Sequence, residues 1–450
     1  MSAMKRYTET LTEDINVLKE RLNFNSGKHA RNRFLKAAMT EKMGTYVPKN
    51  PEKHGLPNQK MLNLYDKWGN GNFGVILTGN VMVDPTHLES AENVVIFKEG
   101  DSPERRFLFG EWAKNSKQDG ALAIIQLSHG GRQTPIAVNP KPFAPSKVQL
   151  VVDPNFTAFG EPIELTIEQI KTEVINRFVY AAKFAYETGF DGVELHAAHG
   201  YLLSQFTSPT TNKRTDKYGG SLENRLRIIL EIYDAIRQQV PKEFIVGIKT
   251  NSVEFQSEGT TVEDAKEMCK LYEKKGVDFI ELSGGTYEKF GFEHVRESTR
   301  KREAFYLETA EKIRPVFKNT VVYLTGGFRT VHAMIQAVES GATHGIGLGR
   351  PTTAEPDLPK KILEGKVSSA LANTIDGNNF YYTSLASGVQ MEQMGRTSLE
   401  EANNNIMTSI SDFSNPETTN RFLEVLKDYV ELTKTEKMKG NPVIKTLIFD

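Results

Sequence analysis

The sequence contains a single cysteine, Cys269, among 450 residues. One cysteine excludes an intrachain disulfide and any cluster held by several cysteines of the same chain. Cys269 lies among helix-forming residues in TTVEDAKEMCKLYEKKG, so we expect a packed thiol. The lack of disulfides is compatible with a reducing cytosol.

Long apolar runs and an excess of one charge are also missing. No run of 18 apolar residues could span a bilayer, and MSAMKRYTETLTEDINVLKERLNFN at the N-terminus is charged throughout, unlike a signal peptide. The 56 basic and 57 acidic residues nearly cancel, so no overall field attracts a nucleic acid or an anionic membrane surface. We therefore predict a cytoplasmic protein, monomeric or homodimeric, whose partner is a small molecule.

What the sequence does contain is an eightfold alternation of short β-rich runs and longer segments of helical periodicity. The candidate strands are residues 32–40, 74–83, 121–129, 191–198, 244–251, 278–285, 321–327 and 344–350. They are nearly continuous in apolar or small residues, as expected of parallel strands buried on both faces. Eight such units within about 330 residues favour a closed (β/α)8 TIM barrel over an open doubly wound sheet.

Helix start and stop signals fall between these runs. Ser102 precedes Pro103, which predicts an N-cap followed by a first-turn proline. Thr166 and Gln169 have capping-box spacing, and Gly276 stands where a helix should stop. These signals support helices after the strands.

Some segments fall outside the alternation. We expect residues 132–163 and 207–220 to form long loops on the substrate side of the barrel. The tail contains NRFLEVLKDYVELTKTEKMKG, which has the pattern of an amphipathic helix. We predict a barrel over residues 1–370 and a C-terminal extension over 371–450 that packs on the barrel or lies at an oligomer interface.

Two glycine motifs follow the last two predicted strands, at the end of a barrel where enzymes place their chemistry. LTGGF contains Gly326 and Gly327, and GLGRP contains Gly349 and Arg350. Glycines let a phosphate approach backbone N–H groups, helix N-termini favour its charge, and an arginine can chelate it. Together these motifs predict a phosphate site.

The stretch GFDGVELHAAHGYLLSQF places His196 and His199 three residues apart, with Tyr201 close behind. A metal site would need a third protein ligand, and this pattern after a strand is not the helical His-Glu-x-x-His of a zinc protease. Two imidazoles can donate hydrogen bonds that polarise a carbonyl group, and a neighbouring tyrosine can donate a proton to a carbon atom. The interpretation that the two histidines only pack in the core also stays open at this point.

The longer stretch GFDGVELHAAHGYLLSQFTSPTTNKRTDKYGGSLENR resembles the signature of the Old Yellow Enzyme family of FMN-dependent ene-reductases. NRFLKAAMT, GVILTGNVMVDP, IIQLSHGGR, VYLTGGF and GIGLGRPTTAEPDL resemble its other landmarks, in order and at similar spacing. The resemblance implies a flavoprotein that takes hydride from NADH or NADPH and reduces the C=C bond of α,β-unsaturated carbonyl compounds, or quinones. The single cysteine points to the form without an iron–sulfur cluster.

The resemblance also implies roles for individual residues. His196 and His199 would bind the carbonyl oxygen of the substrate, and Tyr201 would donate a proton to its carbon. Lys249 stands where the family commonly has arginine, so it keeps the charge near the flavin but loses the planar fork. Ala38 stands where proline is usual. The implied FMN ligands are Ala38, Met39, Thr40, Gln126, Lys249, Gly326, Gly327, Gly349 and Arg350. Among them, Thr40 would form a hydrogen bond with flavin O4. No metal site is implied.

Two other functions stay open on the sequence alone. One is a metal-dependent TIM-barrel hydrolase that uses His196 and His199, and the other is a barrel that binds flavin or a phosphorylated metabolite without redox turnover. A flavin absorption band would eliminate the first, and bleaching by NAD(P)H with recolouring by an enone would eliminate the second.

Overall fold

The computed structural model describes residues 4–10, 13–152, 158–254, 258–288, 303–304, 306–377, 379–439, 441–442 and 447–450. Eight parallel strands form its centre. They are β1 (Phe34–Lys36), β2 (Val75–Met82), β3 (Leu122–Ser128), β4 (Gly192–Ala197), β5 (Ile245–Asn251), β6 (Phe279–Ser283), β7 (Val321–Thr325) and β8 (Gly345–Leu348). Each pairs with the next, and β8 pairs with β1, which closes the barrel. The predicted barrel is confirmed, and each observed strand lies within a predicted run.

One main helix follows each strand. These helices are α1 (Gln59–Gly69), α2 (Pro103–Asn115), α3 (Asn176–Glu187), α4 (Leu222–Arg237), α5 (Val262–Lys275), α6 (Leu307–Ile313), α7 (Val331–Glu339) and α8 (Leu358–Leu363). The C-terminal extension adds α9 (Phe380–Gly395) and α10 (Pro416–Met438). None of the helices in the described part of the chain has both the length and the apolar character of a membrane span.

Shorter elements decorate this frame. Single helical turns occupy Asn16–Lys19, Ile167–Gln169 and Pro351–Ala354, a longer turn occupies Leu202–Thr207, and a π-helical stretch at Ile170–Ile175 leads into α3. The 3-10 turns are Lys98–Gly100, Gly131–Gln133 and Arg314–Val316, and the short strands are Leu22–Asn23, His29–Ala30, Val94–Val95, Phe143–Ala144 and Ile163–Glu164.

The predicted helix boundaries rest on local hydrogen bonds. The Ser102 side chain accepts from the backbone N–H of Arg105, and Pro103 is the first residue of α2. Both bonds of the Thr166–Gln169 capping box are present. Gly276 ends α5 with a φ of 73°, a left-handed conformation that glycine adopts without strain.

Apolar side chains fill two layers of the barrel. One cluster lies inside the barrel and includes Leu35, Leu77, Ile124 and Phe279. A larger cluster packs the outer faces of the strands against the surrounding helices. Cys269 is buried in this outer layer, and burial raises the pKa of its thiol, as expected of a packed cysteine.

The C-terminal extension contacts the first barrel helix. Lys60 on α1 forms an ion pair with Glu392 on α9 at 2.7 Å, and Asn63 Nδ2 donates to the carbonyl of Gly395 at 3.0 Å. The extension also has an apolar cluster of its own, in which Phe413 and Phe422 are buried. The predicted amphipathic helix of the tail is α10.

Candidate active site

A cavity of about 480 Å³ opens at the carboxyl ends of the barrel strands. All the residues predicted for the site line it, namely Ala38, Met39, Thr40, Gln126, His196, His199, Tyr201, Lys249, Gly326, Gly327, Gly349 and Arg350. The described residues of 132–163 and 207–220 contribute nothing to its lining. Residues 283–287 after β6 and the inner face of α9 line it instead, so the expected loop walls are replaced by other segments.

One end of the cavity has the features of an anion site. Gly326 and Gly327 have φ values of 131° and 96°, which expose their backbone to the cavity. A Cβ added at Gly349 would meet no atom closer than Met39 Sδ at 3.7 Å, so the space beside it is open. Arg350 lies at the same end. Burial and the positive charge of Arg329 lower the pKa of Arg350 to about 10.

Arg329 was not predicted, although it lines the cavity close to Arg350. Like charges repel when they share a space, so two guanidinium groups at one end favour an anionic ligand between them. The sequence signal was present: in GGFRT the arginine stands two positions after the glycine pair.

The other end of the cavity rests on a buried polar cluster. Gln126 Nε2 donates to Glu194 Oε2 at 2.6 Å, and Lys249 Nζ lies 2.9 Å from Glu281 Oε1. The second oxygen of each glutamate has no hydrogen-bond partner among the described residues. Burial, followed by the charge of Glu281, raises the pKa of Glu194 well above its usual range, so Glu194 keeps its proton. Glu281 pairs with Lys249 and so holds the ammonium group in this buried cluster.

His196 and His199, the histidine pair, face each other inside the cavity. His196 Nε2 lies 3.1 Å from His199 Nδ1, while the other nitrogens contact Asn80 Oδ1 at 2.7 Å and Ser283 Oγ at 2.9 Å. His199 has a φ of 58°, an uncommon conformation for a non-glycine residue. Burial lowers the pKa of His196 well below its usual range and that of His199 to about 3, so both rings are neutral near pH 7.

Tyr201 lies beside the histidine pair. Its ring centroid is 4.6 Å from that of His196, and its hydroxyl is 2.8 Å from the hydroxyl of Tyr287. Burial, with smaller contributions from Glu89 and Tyr287, raises the pKa of Tyr201 well above its usual range. The phenol therefore carries its proton at neutral pH, as a proton donor must.

Glu89 is a second residue that sequence reasoning missed. Its Oε2 accepts from Thr40 Oγ1 at 2.8 Å and from Asn80 Nδ2. It thus connects Thr40, on the side expected to face the flavin, to Asn80 behind the histidine pair. In this arrangement the Thr40 hydroxyl donates to Glu89, so its predicted bond to flavin O4 stays a prediction. No periodic pattern marks Glu89, because it lies in irregular structure after β2.

The histidine pair does not belong to a metal-ligand group among the described residues. The group found there is Asp84, His87 and His129. The backbone N–H groups of Phe143 and Gly131 donate to His87 Nε2 at 2.9 Å and His129 Nδ1 at 3.1 Å. The remaining nitrogens face Asp84 Oδ2 at 3.3 and 3.9 Å. Because one nitrogen of each ring already accepts a hydrogen bond from a backbone N–H, we interpret this group as an anchor for the segment that follows β3.

The donor set fits a flavin mononucleotide. Two arginines and exposed glycine backbone stand at one end, where a phosphate needs them. An amide and an ammonium group stand at the other end, where the ring's pyrimidine edge needs donors. Thr325 directly precedes Gly326 and Gly327. Its buried Oγ1 has no hydrogen-bond partner in the described part of the chain, so it is available to a ligand at this end.

Comparisons with known sequences agree with this donor set. A family model described as the NADH:flavin oxidoreductase / NADH oxidase family matches residues 22–368. The NADH-dependent flavin oxidoreductase nadA of Aspergillus parasiticus is 43% identical over 373 residues, which cover 82% of this chain and 83% of that protein. The NADH-dependent flavin oxidoreductase iliE of Hypocrea jecorina is 35% identical over 350 residues, 74% of this chain and 85% of the relative.

Solved structures show the same fold. An old yellow enzyme homologue from Zymomonas mobilis superposes with a TM-score of 0.64 at 23% identity, covering 78% of this chain and 94% of that one. Morphinone reductase in complex with tetrahydroNAD gives a TM-score of 0.62 at 23% identity, covering 78% and 91% of the two chains. At these identities the likeness concerns the barrel itself.

Proposed function

Because the chain belongs to the NADH:flavin oxidoreductase / NADH oxidase family, whose cofactor is FMN, we propose that it reduces the C=C bond of α,β-unsaturated carbonyl compounds. The Old Yellow Enzyme resemblance and the oxidoreductase class are confirmed by the family match and by the relative nadA. The enone substrate and the roles of individual residues are our proposal. Hydride transfer, from NADH or NADPH and on to the β-carbon of the substrate, is the chemistry that FMN supplies when bound.

The observation that carries the proposal is the neutral histidine pair next to a protonated tyrosine. We place the substrate carbonyl oxygen beside His196 Nε2 and His199 Nδ1, where it replaces the hydrogen bond that these two nitrogens, 3.1 Å apart, make with each other. Hydride addition at the β-carbon pushes negative charge onto this oxygen, and preplaced N–H donors stabilise it. Asn80 Oδ1 can only accept, so in the arrangement found here His196 Nδ1 donates to it and His196 Nε2 accepts from His199 Nδ1. Donation from His196 Nε2 to the substrate therefore requires the other tautomer, with Ser128 Oγ, 3.5 Å from Nδ1, as the donor to that nitrogen. Tyr201 supplies the proton that the adjacent carbon needs.

A two-step titration tests the reaction. The purified protein should show a flavin absorption band near about 450 nm, as expected of an oxidised flavin. Under anaerobic conditions NADH or NADPH should bleach the band, and a cyclic enone should restore it with formation of the saturated ketone. A band that bleaches but returns only with oxygen would show a flavin oxidase without ene-reductase activity, contrary to the proposal.

The phosphate site gives a first variant. We expect Arg350→Ala to weaken FMN binding by about 10- to 100-fold, because a charge-assisted hydrogen bond to phosphate is worth roughly 1.5–3 kcal/mol. FMN release on dilution, followed by its fluorescence, measures the effect. Arg21→Ala, at an exposed arginine, is the matched control. An Arg350→Ala protein that holds FMN as tightly as the wild type would show that the phosphate binds elsewhere.

Lys249 gives a second variant, at the opposite end of the cavity. Reduced flavin is anionic near N1, so loss of the ammonium in Lys249→Met should lower the reduction potential and slow reduction by NAD(P)H, whereas Lys249→Arg should preserve both. Lys249→Met alone would leave the buried Glu281 carboxyl without its ion-pair partner and destabilise the protein. The double variant Lys249→Met with Glu281→Gln avoids this loss of stability, so it reports the effect of the ammonium charge on the flavin. Potentiometric titration gives the result. Equal potentials for wild type and Lys249→Met would place the lysine away from the flavin.

A further inference from the structure

We infer that the C-terminal helix α9 completes the FMN site of this protein. The family match ends at residue 368, and α9 begins at Phe380, so the helix lies outside the segment that the family model describes. Even so, its residues line the same cavity as Met39, Gly349 and Arg350. The residues of α9 that do so are Phe380, Tyr381, Ser384, Leu385, Ser387, Gly388 and Met391.

The first contact that carries the inference holds Arg350 in place. Arg350 Nη1 donates to Thr383 Oγ1 at 2.5 Å, and the guanidinium carbon lies 5.6 Å from the ring centroid of Phe380. The Thr383 hydroxyl is itself 3.1 Å from the carbonyls of Asn379 and Phe380, one turn back in the helix. It therefore donates to the helix while it accepts from the arginine. Among the described residues this is the one hydrogen bond that the five guanidinium N–H groups make, which leaves the others to face an anion.

The second observation is Gly388, which lies in the middle of a 16-residue helix and lines the cavity. Glycine is among the least favourable residues inside a helix, so a packing reason is expected for it. Among the described atoms there is none, since a Cβ added at Gly388 would have nothing within 4 Å. The open space beside Gly388 continues into the cavity where the family's cofactor binds. We infer that the glycine keeps this space clear for FMN.

The C-terminal end of α9 is held by the barrel. Glu392 pairs with Lys60, and Lys67 Nζ donates to the carbonyl of Met394 at 2.6 Å. Both partners lie on α1, so the helix is fixed between α1 and the cavity. Thr383 is thus a positioning residue that acts through Arg350, and Gly388 shapes the wall of the site.

Three variants test the inference, which rests on the proposed phosphate role of Arg350. Thr383→Val should increase the dissociation constant for FMN by about tenfold, and Thr383→Ser, which restores the hydroxyl, should stay within about twofold of the wild type. Gly388→Ala should weaken FMN binding by at least about threefold, while the melting temperature of the FMN-free protein stays the same or rises because alanine favours the helix. A general loss of stability cannot produce these opposite signs.

Thr374→Val is the control within the extension. Thr374 contacts Thr419 and the carbonyl of Phe413, away from the cavity, so this variant should lower the melting temperature and leave FMN affinity unchanged. Wild-type affinity in both Thr383→Val and Gly388→Ala would overturn the inference, as would an equal loss in Thr374→Val. Arg350→Ala is measured beside them. If it too binds FMN normally, the phosphate assignment fails first; if it alone weakens binding, only the role of α9 is wrong.

Discussion

Replacing both members of the histidine pair, His196→Ala with His199→Ala, is expected to lower enone reduction by at least about 100-fold. Each N–H donor at a developing oxyanion is typically worth on the order of 3 kcal/mol, and the double variant removes both. Phenolic ligands should bind more weakly for the same reason, because we expect their oxygen to occupy the same position beside the two nitrogens.

Stopped-flow reoxidation of the reduced enzyme by an enone measures this loss. His332→Ala is the matched control, since His332 is exposed on α7 and pairs with Glu13 far from the cavity. Circular dichroism should show that the double variant is folded, because the pair is held by hydrogen bonds rather than by the apolar core. Enone reoxidation within about tenfold of the wild-type rate would mean that these rings are not the carbonyl ligands.

Tyr201→Phe should separate the two half-reactions. Oxidation of the nicotinamide needs no proton delivered to a substrate carbon, so flavin reduction by NAD(P)H should keep nearly its wild-type rate. Reoxidation by an enone should slow by about 10²- to 10⁴-fold, the usual contribution of a general acid. Reoxidation by oxygen or a quinone should escape this loss. The substitution removes only the hydroxyl, so the ring contact with His196 stays in place.

Tyr287→Phe is the companion variant, because it removes the hydroxyl partner of Tyr201 and leaves the proposed donor itself. We expect a smaller effect on the enone half-reaction than in Tyr201→Phe. If Tyr201→Phe slows both half-reactions equally, the tyrosine positions the ring or packs the site, and its assignment as proton donor is incorrect.

The barrel could be predicted from the sequence because its strands are buried on both faces. Such strands appear as nearly continuous apolar runs, and the caps at Ser102 and Gly276 are local signals that depend on a few neighbouring residues. The predicted site residues line one cavity for a related reason. Each lies near or just after the carboxyl end of a strand, and closure of the barrel brings all strand ends to one mouth.

The partners of these residues could not be predicted, because they depend on register and on distant segments. Glu194 and Glu281 look like single polar residues in apolar strands, and only the parallel pairing sets Gln126 beside the first and Lys249 beside the second. Residues 132–163 have the composition of a lid, but composition does not tell which segment reaches the cavity. The helix α9 reaches it through tertiary packing alone.

The two guanidinium groups of Arg329 and Arg350 also link cofactor binding to the stability of the folded chain. Their repulsion opposes the folded state, and we expect a phosphate group bound near them to relieve it. A ligand that binds only the folded chain stabilises it by about 2.7 kcal/mol at a hundredfold excess over its dissociation constant. We therefore expect the chain without FMN to be less stable and to be cleaved faster by a protease than the chain with FMN bound.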